Sequence, residues 1–256
     1  MELKVATLKE REIYCVNPEE VPIVYNQVEQ YFEYDVHLEE NSIVFDVGAN
    51  IGLFSFWITQ HYSDSGIHIY AFEPIPLLYE ALKKNFQHIN AEHLKAFPFG
   101  LGQENATVTF AYHPYATAMS TSYPYTQQEQ IEFQETIFKN LPETAQEEFK
   151  PKLDLFFQNT PVQCQLRKAS EVIRENNISK IDLLKIDVEK AELDVMHGFT
   201  TEDWLKVQQL VVEIHNIDNR LNVIESLLSQ NGFNIIAIDQ EEGFKGSNIY
   251  NLYASR

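Results

Sequence analysis

Acidic residues and one histidine stand where the apolar runs of this chain end. Asp46 ends one run, Asp187 and Glu189 follow a second, and Glu213 and His215 close a third. A carboxylate at the end of a buried strand is costly to bury without a partner. The pattern therefore predicts that these side chains meet a cationic ligand, a lysine, a histidine or a metal ion.

Gly48, Asn50 and Gly52 form a glycine turn between an apolar strand and an apolar helix. A strand, a glycine turn and a helix N-terminus bring bare backbone against nucleotide-like ligands. The dinucleotide pattern G-x-G-x-x-G has glycine where this chain has Asn50, and Asp46 would repel a diphosphate. S-adenosylmethionine, which carries an ammonium, a sulfonium and a ribose but no phosphate, suits these residues better.

Glu73 ends the next apolar run, about 20 residues after the turn. In nucleotide-binding folds, a carboxylate at this position accepts hydrogen bonds from the ribose hydroxyls, so Glu73 is predicted to bind the ribose. Gly100 follows the third strand and is predicted to approach the adenine, although a plain turn accounts for it equally well. The residues expected to bind the cofactor are Asp46, Gly48, Asn50, Gly52, Glu73, Gly100 and Asp187.

The chain resembles the FkbM-type methyltransferases in four motifs that occur in the same order. They are VFDVGANIG at 44–52, YAFEP at 70–74, IDLLKIDVEKAE at 181–192 and VVEIH at 211–215. The resemblance covers residues 42 to 256 and implies S-adenosylmethionine as cofactor and methylation mostly of hydroxyl groups. Lys190 stands where the family usually has glycine, which puts a side chain near the site. Two terminal stretches, 13–17 and 249–254, are similar to members that act on natural-product intermediates.

Strands that alternate with helices predict an α/β fold, a three-layer sandwich with a mostly parallel sheet. The resemblance implies the seven-stranded, Rossmann-like sheet of class I methyltransferases. A late strand-turn-strand pair predicts one antiparallel strand, and Ser170 is a candidate N-cap of a short helix. We expect one domain, 1–256, with an N-terminal extension over 1–41 that packs on the core or acts as a lid.

The segment 113–160 differs from the rest of the chain, with several prolines and many Gln, Tyr and Phe residues. It is too long for an ordinary loop and too aromatic for simple disorder. We therefore predict an inserted cap that shapes the acceptor pocket.

Methyl transfer from a sulfonium is an in-line displacement, which needs a positioned acceptor oxygen and a base for its proton. His215 is the predicted base because its ordinary pKa lies near neutral pH. Glu189 or Glu213 would orient its ring, and Asp187 completes the predicted catalytic set. Alternation along a strand puts Glu213 and His215 on one face, and Asp187 and Glu189 likewise if their strand continues that far.

Mg²⁺ is an alternative partner for the same groups, because it prefers carboxylate and water oxygens. Its candidate ligands are Asp187, Glu189, Glu192, Glu213 and His215. No compact ligand-spacing motif supports such a site, so the sequence predicts none. Lys185, on the same face of its strand as Asp187, is the simpler neutralising partner.

Composition excludes several classes of partner. The net charge of −19 disfavours binding to nucleic acid or to anionic membrane surfaces, because proteins bind these partners through clustered Lys and Arg. No apolar run approaches the roughly 20 residues that span a bilayer. The N-terminus lacks a signal-peptide core, so the cytoplasm is expected. Cys15 and Cys164 are far apart and are expected to be reduced.

The sequence is compatible with three functions of different classes. The first is an O-methyltransferase acting on a small-molecule or carrier-bound natural-product hydroxyl, or on a sugar or lipid hydroxyl. The second is a nicotinamide-dependent oxidoreductase, which Asp46 and Asn50 disfavour. The third is a non-catalytic module that binds S-adenosylmethionine, which Lys190 leaves open.

Overall fold

The computed structural model describes residues 2–63, 65–89 and 93–256. Its strands are β1 (Lys4–Leu8), β2 (Arg11–Cys15), β3 (Ile43–Val47), β4 (His68–Phe72), β5 (Leu94–Phe97), β6 (Gly100–Leu101), β7 (Ala106–Tyr112), β8 (Thr160–Arg167), β9 (Ile181–Ile186), β10 (Val207–His215), β11 (Asn234–Asp239) and β12 (Ile249–Ser255). Its helices are α1 (Glu20–Val28), α2 (Leu53–His61), α3 (Pro76–Ile89), α4 (Gln127–Asn140), α5 (Glu143–Phe156), α6 (Ala169–Glu175), α7 (Glu192–His197), α8 (Thr201–Trp204) and α9 (Arg220–Gln230).

A seven-stranded sheet in the order β11-β12-β10-β9-β3-β4-β5 forms the centre of the fold. The pairs from β10 to β5 are parallel, whereas β12 runs antiparallel to both β10 and β11. This arrangement confirms the predicted class I methyltransferase fold, including the antiparallel strand near the end of the chain. The order reverses between β9 and β3, and such a switch point is where open α/β sheets bind ligands.

The central strands are buried on both faces because helices cover both sides of the sheet. In β3, Val44 belongs to the core formed with α1, α2 and α3, while Phe45 and Val47 belong to the core formed with α6 to α9. Strands buried on both faces read as continuous apolar runs rather than as alternation. That is why the sequence identified these strands.

The N-terminal extension packs on the sheet through α2. β1 and β2 form an antiparallel hairpin, followed by α1 and a 3-10 helix over Glu29–Phe32. Tyr25 meets Phe56 edge-on, with ring centroids 5.9 Å apart, and Phe32 stacks on Trp57 at 4.1 Å. Tyr25 and Phe32 therefore belong to the core that covers α2.

The segment predicted as an insert lies between β7 and β8, which belong to a small second sheet. These two strands are antiparallel, and β6 joins β8 in parallel. Between them lie α4 and α5, and α4 begins with a capping box in which Thr126 and Glu129 exchange hydrogen bonds. Phe133 and Phe156 pack against Met119 and Phe157 under these helices. We call residues 113–159 the cap.

Two local expectations differ from the structure. Lys168, not Ser170, is the N-cap residue of α6. β9 ends at Ile186, so Glu189 lies in a turn with a φ of 50° and not on a continued strand. Strand alternation therefore does not place Glu189 beside Asp187. Within the described residues, no helix is both long and apolar enough to cross a bilayer.

Candidate active site

A cavity of about 590 Å³ lies at the carboxyl ends of β3, β4, β9 and β10. It is lined from the sheet side by Gly48, Asn50, Glu73, Asp187, Glu189 and Glu213. From the cap side, the lining residues include Tyr125, Phe133, Ile137 and Phe156. One space thus joins the glycine turn, the acidic strand ends and an apolar cap.

The glycine turn has a packing reason for each glycine. Gly48 has a φ of 77°, and a Cβ built on it would lie 1.7 Å from the carbonyl oxygen of Asp187. Gly52 has a φ of 89°, and its Cβ would lie 2.6 Å from Leu82 Cδ1 of α3. Only glycine allows both the left-handed backbone and these close approaches. Gly48 lines the cavity, whereas Gly52 faces α3.

Asp46 lies beneath the turn and outside the cavity lining. Its side chain has no exposed area. One oxygen accepts a hydrogen bond from Ser55 Oγ at 2.8 Å, and the other lies 3.3 Å from Lys185 Nζ. The sequence-based expectation that Asp46 contacts the cofactor has no support from this placement, because its carboxylate already has a protein cation.

Lys185 connects the turn to the acidic strand end. Its ammonium donates a hydrogen bond to the carbonyl oxygen of Gly48 at 2.8 Å and lies 3.5 Å from Asp187 Oδ2. Burial alone would lower the pKa of Lys185, but the carboxylates of Asp187 and Asp46 raise it overall. The lysine therefore stays charged, as the partner that two buried carboxylates need.

Glu73 receives two backbone hydrogen bonds at the tip of β4. The amides of Asn50 and Ile75 donate to its two oxygens at 2.9 and 2.8 Å. Burial raises the pKa of Glu73 to about 8, although both amides oppose the rise. The side chain lines the cavity, so it is available to ribose hydroxyls.

Asn50 contacts the cap as well as the turn. Its side-chain amide donates to Thr117 Oγ1 at 3.1 Å, and that hydroxyl donates to Glu20 Oε2 at 2.8 Å. The amide of Ala118 also donates to Glu20, at 2.9 Å. This chain of bonds joins α1, the glycine turn and the cap, and sequence analysis found neither Glu20 nor Thr117.

Asp187 faces the cavity next to the glycine turn. Tyr31 donates its hydroxyl to Asp187 Oδ2 at 3.1 Å. Burial raises the pKa of Asp187, and the charge of Glu189 adds to the rise while Lys185 opposes it. Tyr31 belongs to the N-terminal extension, so that extension contributes directly to the cavity wall.

Glu189 is held by the cap through both its backbone and its side chain. Thr121 donates to its carbonyl oxygen at 2.5 Å, and Tyr125 donates to its carboxylate at 2.6 Å. The left-handed turn that begins at Glu189 continues at Lys190, with a φ of 76°. The departure from glycine at this position therefore places a lysine in a backbone conformation that glycine adopts more easily.

Lys190 turns away from the acidic strand ends and toward the cap. Its ammonium bonds Glu129 Oε1 of α4 at 2.8 Å and lies 3.7 Å from the centre of the Tyr125 ring. The side chain is 4% exposed. Lys190 is thus a polar link between the strand end and α4.

His215 lies behind Glu189 and is not part of the cavity lining. Its Nδ1 is 2.9 Å from Glu192 Oε1, and its Nε2 is 3.1 Å from Glu189 Oε2. Burial alone would lower the pKa of His215, but Glu189 and Glu192 raise it well above its usual value. Both nitrogens face carboxylates, so this placement does not support the predicted role of His215 as a free base.

Glu213 and Glu241 add acidity to the same wall. Burial raises the pKa of Glu213 well above its usual value, and the charges of Asp187 and Glu189 raise it further. Burial also raises the pKa of Glu241 to about 7. Glu241 accepts a hydrogen bond from Gln27 Nε2 at 2.9 Å, and no sequence motif points to Glu241.

Gly100 lines the cavity from β6, where a Cβ would lie 2.8 Å from Leu166 Cδ2. The structure therefore brings together five predicted cofactor residues, Gly48, Asn50, Glu73, Gly100 and Asp187, around one cavity. Asp46, Gly52 and His215 support this wall from behind. The arrangement can hold a ribose at Glu73 and place a reacting group between the acidic residues of the sheet side and the apolar side chains of the cap.

Comparisons with known proteins found a matching family profile and relatives that align with most of the chain. A family profile described as the methyltransferase FkbM domain matches residues 46–235. The 31-O-demethyl-FK506 methyltransferase FkbM of Streptomyces tacrolimicus is 32% identical over 250 residues, which cover 94% of this chain and 92% of that protein. Methyltransferase sdnD of Sordaria araneosa is 33% identical over 232 residues, covering 87% and 85%.

Two further matches involve longer proteins. The AMB antimetabolite synthetase AmbE of Pseudomonas aeruginosa is 30% identical over 257 residues, which cover 94% of this chain and 12% of that protein. The crystal structure of a methyltransferase FkbM from Methylobacillus flagellatus superposes with a TM-score of 0.55 at 12% identity. It aligns with 92% of this chain, and the aligned part is half of its own length, 50%. At this identity the match supports the fold alone.

Proposed function

Because this chain belongs to the FkbM methyltransferase family, we propose that it transfers a methyl group from S-adenosylmethionine to a hydroxyl group of a natural-product intermediate. The observation that carries the proposal is the single cavity in which Glu73 and the glycine turn stand beside Asp187, Glu189 and Glu213. A cofactor bound at the turn would lie next to the groups that can accept a proton. Membership of the family leaves the nicotinamide-dependent alternative without support.

The cofactor is proposed to bind along the turn. Glu73 accepts hydrogen bonds from the ribose hydroxyls, and the backbone at Gly48 and Asn50 lies along the ligand. Gly100 borders the adenine. Asp46 acts indirectly, because its ion pair with Lys185 holds the carbonyl of Gly48 in place. S-adenosylmethionine, when bound, supplies a methyl group on a sulfonium and leaves as S-adenosylhomocysteine.

Asp187 is proposed as the proton acceptor. Its carboxylate faces the cavity beside the turn, and the Tyr31 hydroxyl fixes its orientation. An oxygen–methyl bond forms as the sulfur–methyl bond breaks, and the hydroxyl proton passes to Asp187. His215 is not proposed as this base, because it does not line the cavity and the carboxylates of Glu189 and Glu192 lie 3.1 and 2.9 Å from its ring nitrogens.

The acceptor is proposed to be mostly apolar. Phe133, Ile137 and Phe156 of the cap line the cavity, and apolar walls with a few polar groups are typical of small-molecule sites. The Streptomyces tacrolimicus relative is named as a methyltransferase of 31-O-demethyl-FK506, and AmbE is named as an antimetabolite synthetase. These names favour a small or carrier-bound natural product, ahead of a sugar or a lipid hydroxyl.

The test is release of S-adenosylhomocysteine by the purified chain with a panel of apolar hydroxylated acceptors, free and carrier-bound. Asp187→Asn should lower kcat by about 10²–10⁴-fold, the usual contribution of a general base. Asp194→Asn is the matched control, because Asp194 also lines the cavity but is bonded to Tyr123. Equal losses in the two variants would remove Asp187 from its proposed role.

The same assay tests whether the chain is a non-catalytic module that binds S-adenosylmethionine. If the chain binds S-adenosylhomocysteine but releases none from S-adenosylmethionine with any acceptor, a non-catalytic binding module becomes the better account. If transfer occurs to nitrogen and never to oxygen, the methyltransferase assignment stands and the O-methyl proposal is wrong.

A further inference from the structure

Glu189, Glu213 and His215 form a compact group of metal-ligating atoms at the inner wall of the cavity. One atom from each lies within 4.8 Å of the others. Two ligands of one ion, each bound at about 2.1 Å, can be no more than about 4.2 Å apart. Adjacent octahedral ligands at that distance are about 3.0 Å apart, so side-chain movements of about 1 Å or less would bring the three atoms onto a common ion.

His215 is oriented as a metal-ligating histidine is oriented. Its Nδ1 faces Glu192 Oε1 at 2.9 Å, and Glu192 has no exposed area. Arg220 and the amide of Lys190 hold the same carboxylate, at 2.8 Å each. An ionised partner at Nδ1 keeps a proton on that nitrogen and leaves the lone pair of a neutral ring on Nε2.

The Nε2 atom of His215 has no aligned hydrogen bond. His215 is 2% exposed, and Nε2 is a buried polar atom that lacks a hydrogen-bond partner among the described residues. Glu189 Oε2 lies 3.1 Å away, which is an ion-pair distance without hydrogen-bond alignment. A buried nitrogen without a hydrogen-bond partner, in a group with two carboxylates, is a ligand that a cation among them would bind.

Glu213 also lacks a partner. It is 8% exposed, and no described side chain or backbone amide donates a hydrogen bond to it. The charge of His215 opposes the rise in the pKa of Glu213, whereas the other neighbouring cations are engaged elsewhere: Lys185 with Asp46 and Asp187, Lys190 with Glu129, and Arg220 with Glu192. A buried carboxylate is costly to keep ionised without a nearby cation, and a bound divalent ion would supply one.

We propose that Glu189, Glu213 and His215 bind a divalent cation of the Mn²⁺ or Mg²⁺ class. Two carboxylates and one imidazole suit such ions, and three protein ligands leave positions open. Those positions face the cavity, because Glu189 and Glu213 line it. The sequence showed no spacing motif for a metal site, since β10 and the turn after β9 supply the ligands separately.

The catalytic role of the ion rests on the proposed function, whereas its binding does not. An acceptor oxygen that joins the ion becomes more acidic and is held in place. Such an ion would ease the transfer of the acceptor's hydroxyl proton to Asp187. The competing explanation is an ion-free network in which a charged His215 pairs with Glu189 and Glu192.

Binding is tested on the purified full chain after treatment with chelator and removal of the chelator. Mn²⁺ is added and its free concentration is followed by electron paramagnetic resonance, and Mg²⁺ is added as a competitor. The expected result is one Mn²⁺ per chain, displaced by Mg²⁺. Absence of stoichiometric binding of either ion would overturn the site.

Variants identify the ligands without relying on turnover. Glu213→Gln and His215→Gln should each weaken Mn²⁺ binding at least tenfold, and Glu20→Gln should leave it unchanged. Glu20 is the control because it lines the same cavity but is bonded to Thr117 and Ala118. If His215→Gln fails to fold, Glu213→Gln decides the question, and unchanged binding in that variant contradicts the proposal.

Turnover then separates the two proposals. If methyl transfer is lost in chelator and returns with Mn²⁺ or Mg²⁺, the ion acts in catalysis. If the ion binds but transfer proceeds equally without it, its catalytic role is overturned and the proposed methyl transfer stands. If the metal-loaded chain methylates no acceptor, the proposed function fails while the metal site stands.

Discussion

The sheet side and the cap side of the cavity are stabilised in different ways. On the sheet side, Asp46 and Lys185 are buried at the centre of the fold, and Glu73 accepts two backbone hydrogen bonds. On the cap side, α4 has no buried residue. Its contacts with the remainder of the chain are partly polar, including the bond of Lys190 to Glu129 and those of Asn140 to the carbonyl oxygens of Gly243 and Lys245.

This difference indicates separate roles for the two sides. A ligand that is the same in every turnover needs a preorganised wall, and the sheet side provides one. A variable acceptor needs a wall that can open, and segments with few buried contacts open most easily. We therefore expect changes on the sheet side to affect stability and cofactor affinity, and changes on the cap side to affect acceptor use.

The largest expected effect is on the sheet side. Lys185→Met should lower the free energy of unfolding by about 3–5 kcal/mol, because it leaves buried carboxylates without their cation. Asp46→Asn combined with Lys185→Met should recover part of this loss, since one of the uncompensated charges is removed. Urea unfolding of the two variants measures both values. A loss below about 1 kcal/mol in Lys185→Met would mean that the ion pair does not hold the turn.

The second effect concerns Glu73 and depends on pH. Its pKa of about 8 means that the free protein carries a proton on Glu73 at neutral pH. Ribose hydroxyls donate to the ionised carboxylate, so binding releases that proton. Affinity for adenosine should therefore rise about tenfold per pH unit below pH 8 and level off above it. Adenosine is the probe because it has no group that titrates in this range.

Glu73→Gln is the matched variant for this experiment. It keeps the shape of the side chain but cannot ionise, so the slope of affinity against pH should disappear. Calorimetric titration between pH 6 and pH 9 measures the slope. An equal slope in the variant would assign the pH dependence to another group and would remove Glu73 from the ribose site.

The smallest effect is on the cap side. Glu129→Gln removes the charge partner of Lys190, and such partly exposed pairs contribute about 0.2–1 kcal/mol. Hydrogen exchange of α4 amides should speed up by about two- to fivefold, and exchange in β3 should not change. Equal acceleration in β3 would show that the two sides open as one unit.

Lys190→Gly sharpens the same comparison. It removes the link to Glu129 but also replaces a left-handed lysine, whose backbone costs about 1 kcal/mol relative to glycine. Compared with Lys190→Met, the glycine variant should therefore be more stable while its α4 helix exchanges equally fast. Unfolding curves together with hydrogen exchange of both variants check this.

The sequence predicted the fold and most of the sheet side because these features are local. Apolar runs, glycine spacing and acidic run ends are all visible within a few residues. The partner of Asp46 is not local: Lys185 lies opposite it in the register of β3 and β9. Sequence alone gives no strand register, and it therefore does not show that Asp46 has a lysine as its partner.

The same limit applies to His215 and to the cap. The neighbour of His215 at Nδ1 is Glu192, which depends on where α7 docks against β10. Glu20, Thr117 and Glu241 meet the site from distant segments and follow no motif. The composition of the cap predicted its aromatic wall, but not the contacts of Tyr125 and Lys190 that attach it.

The most direct test of the division between the two sides is the affinity for S-adenosylhomocysteine of two variants at pH 8. Glu73→Gln, on the sheet side, should weaken binding by about 1.5–3 kcal/mol, or roughly 10–150-fold, because it loses a charged acceptor of hydrogen bonds. Phe133→Ala, on the cap side, should bind within about twofold of the unaltered chain, since side chains away from a ligand contribute little to its affinity. If Phe133→Ala weakens binding as much as Glu73→Gln, or if the unaltered chain does not bind S-adenosylhomocysteine, the assignment of cofactor binding to the sheet side is contradicted.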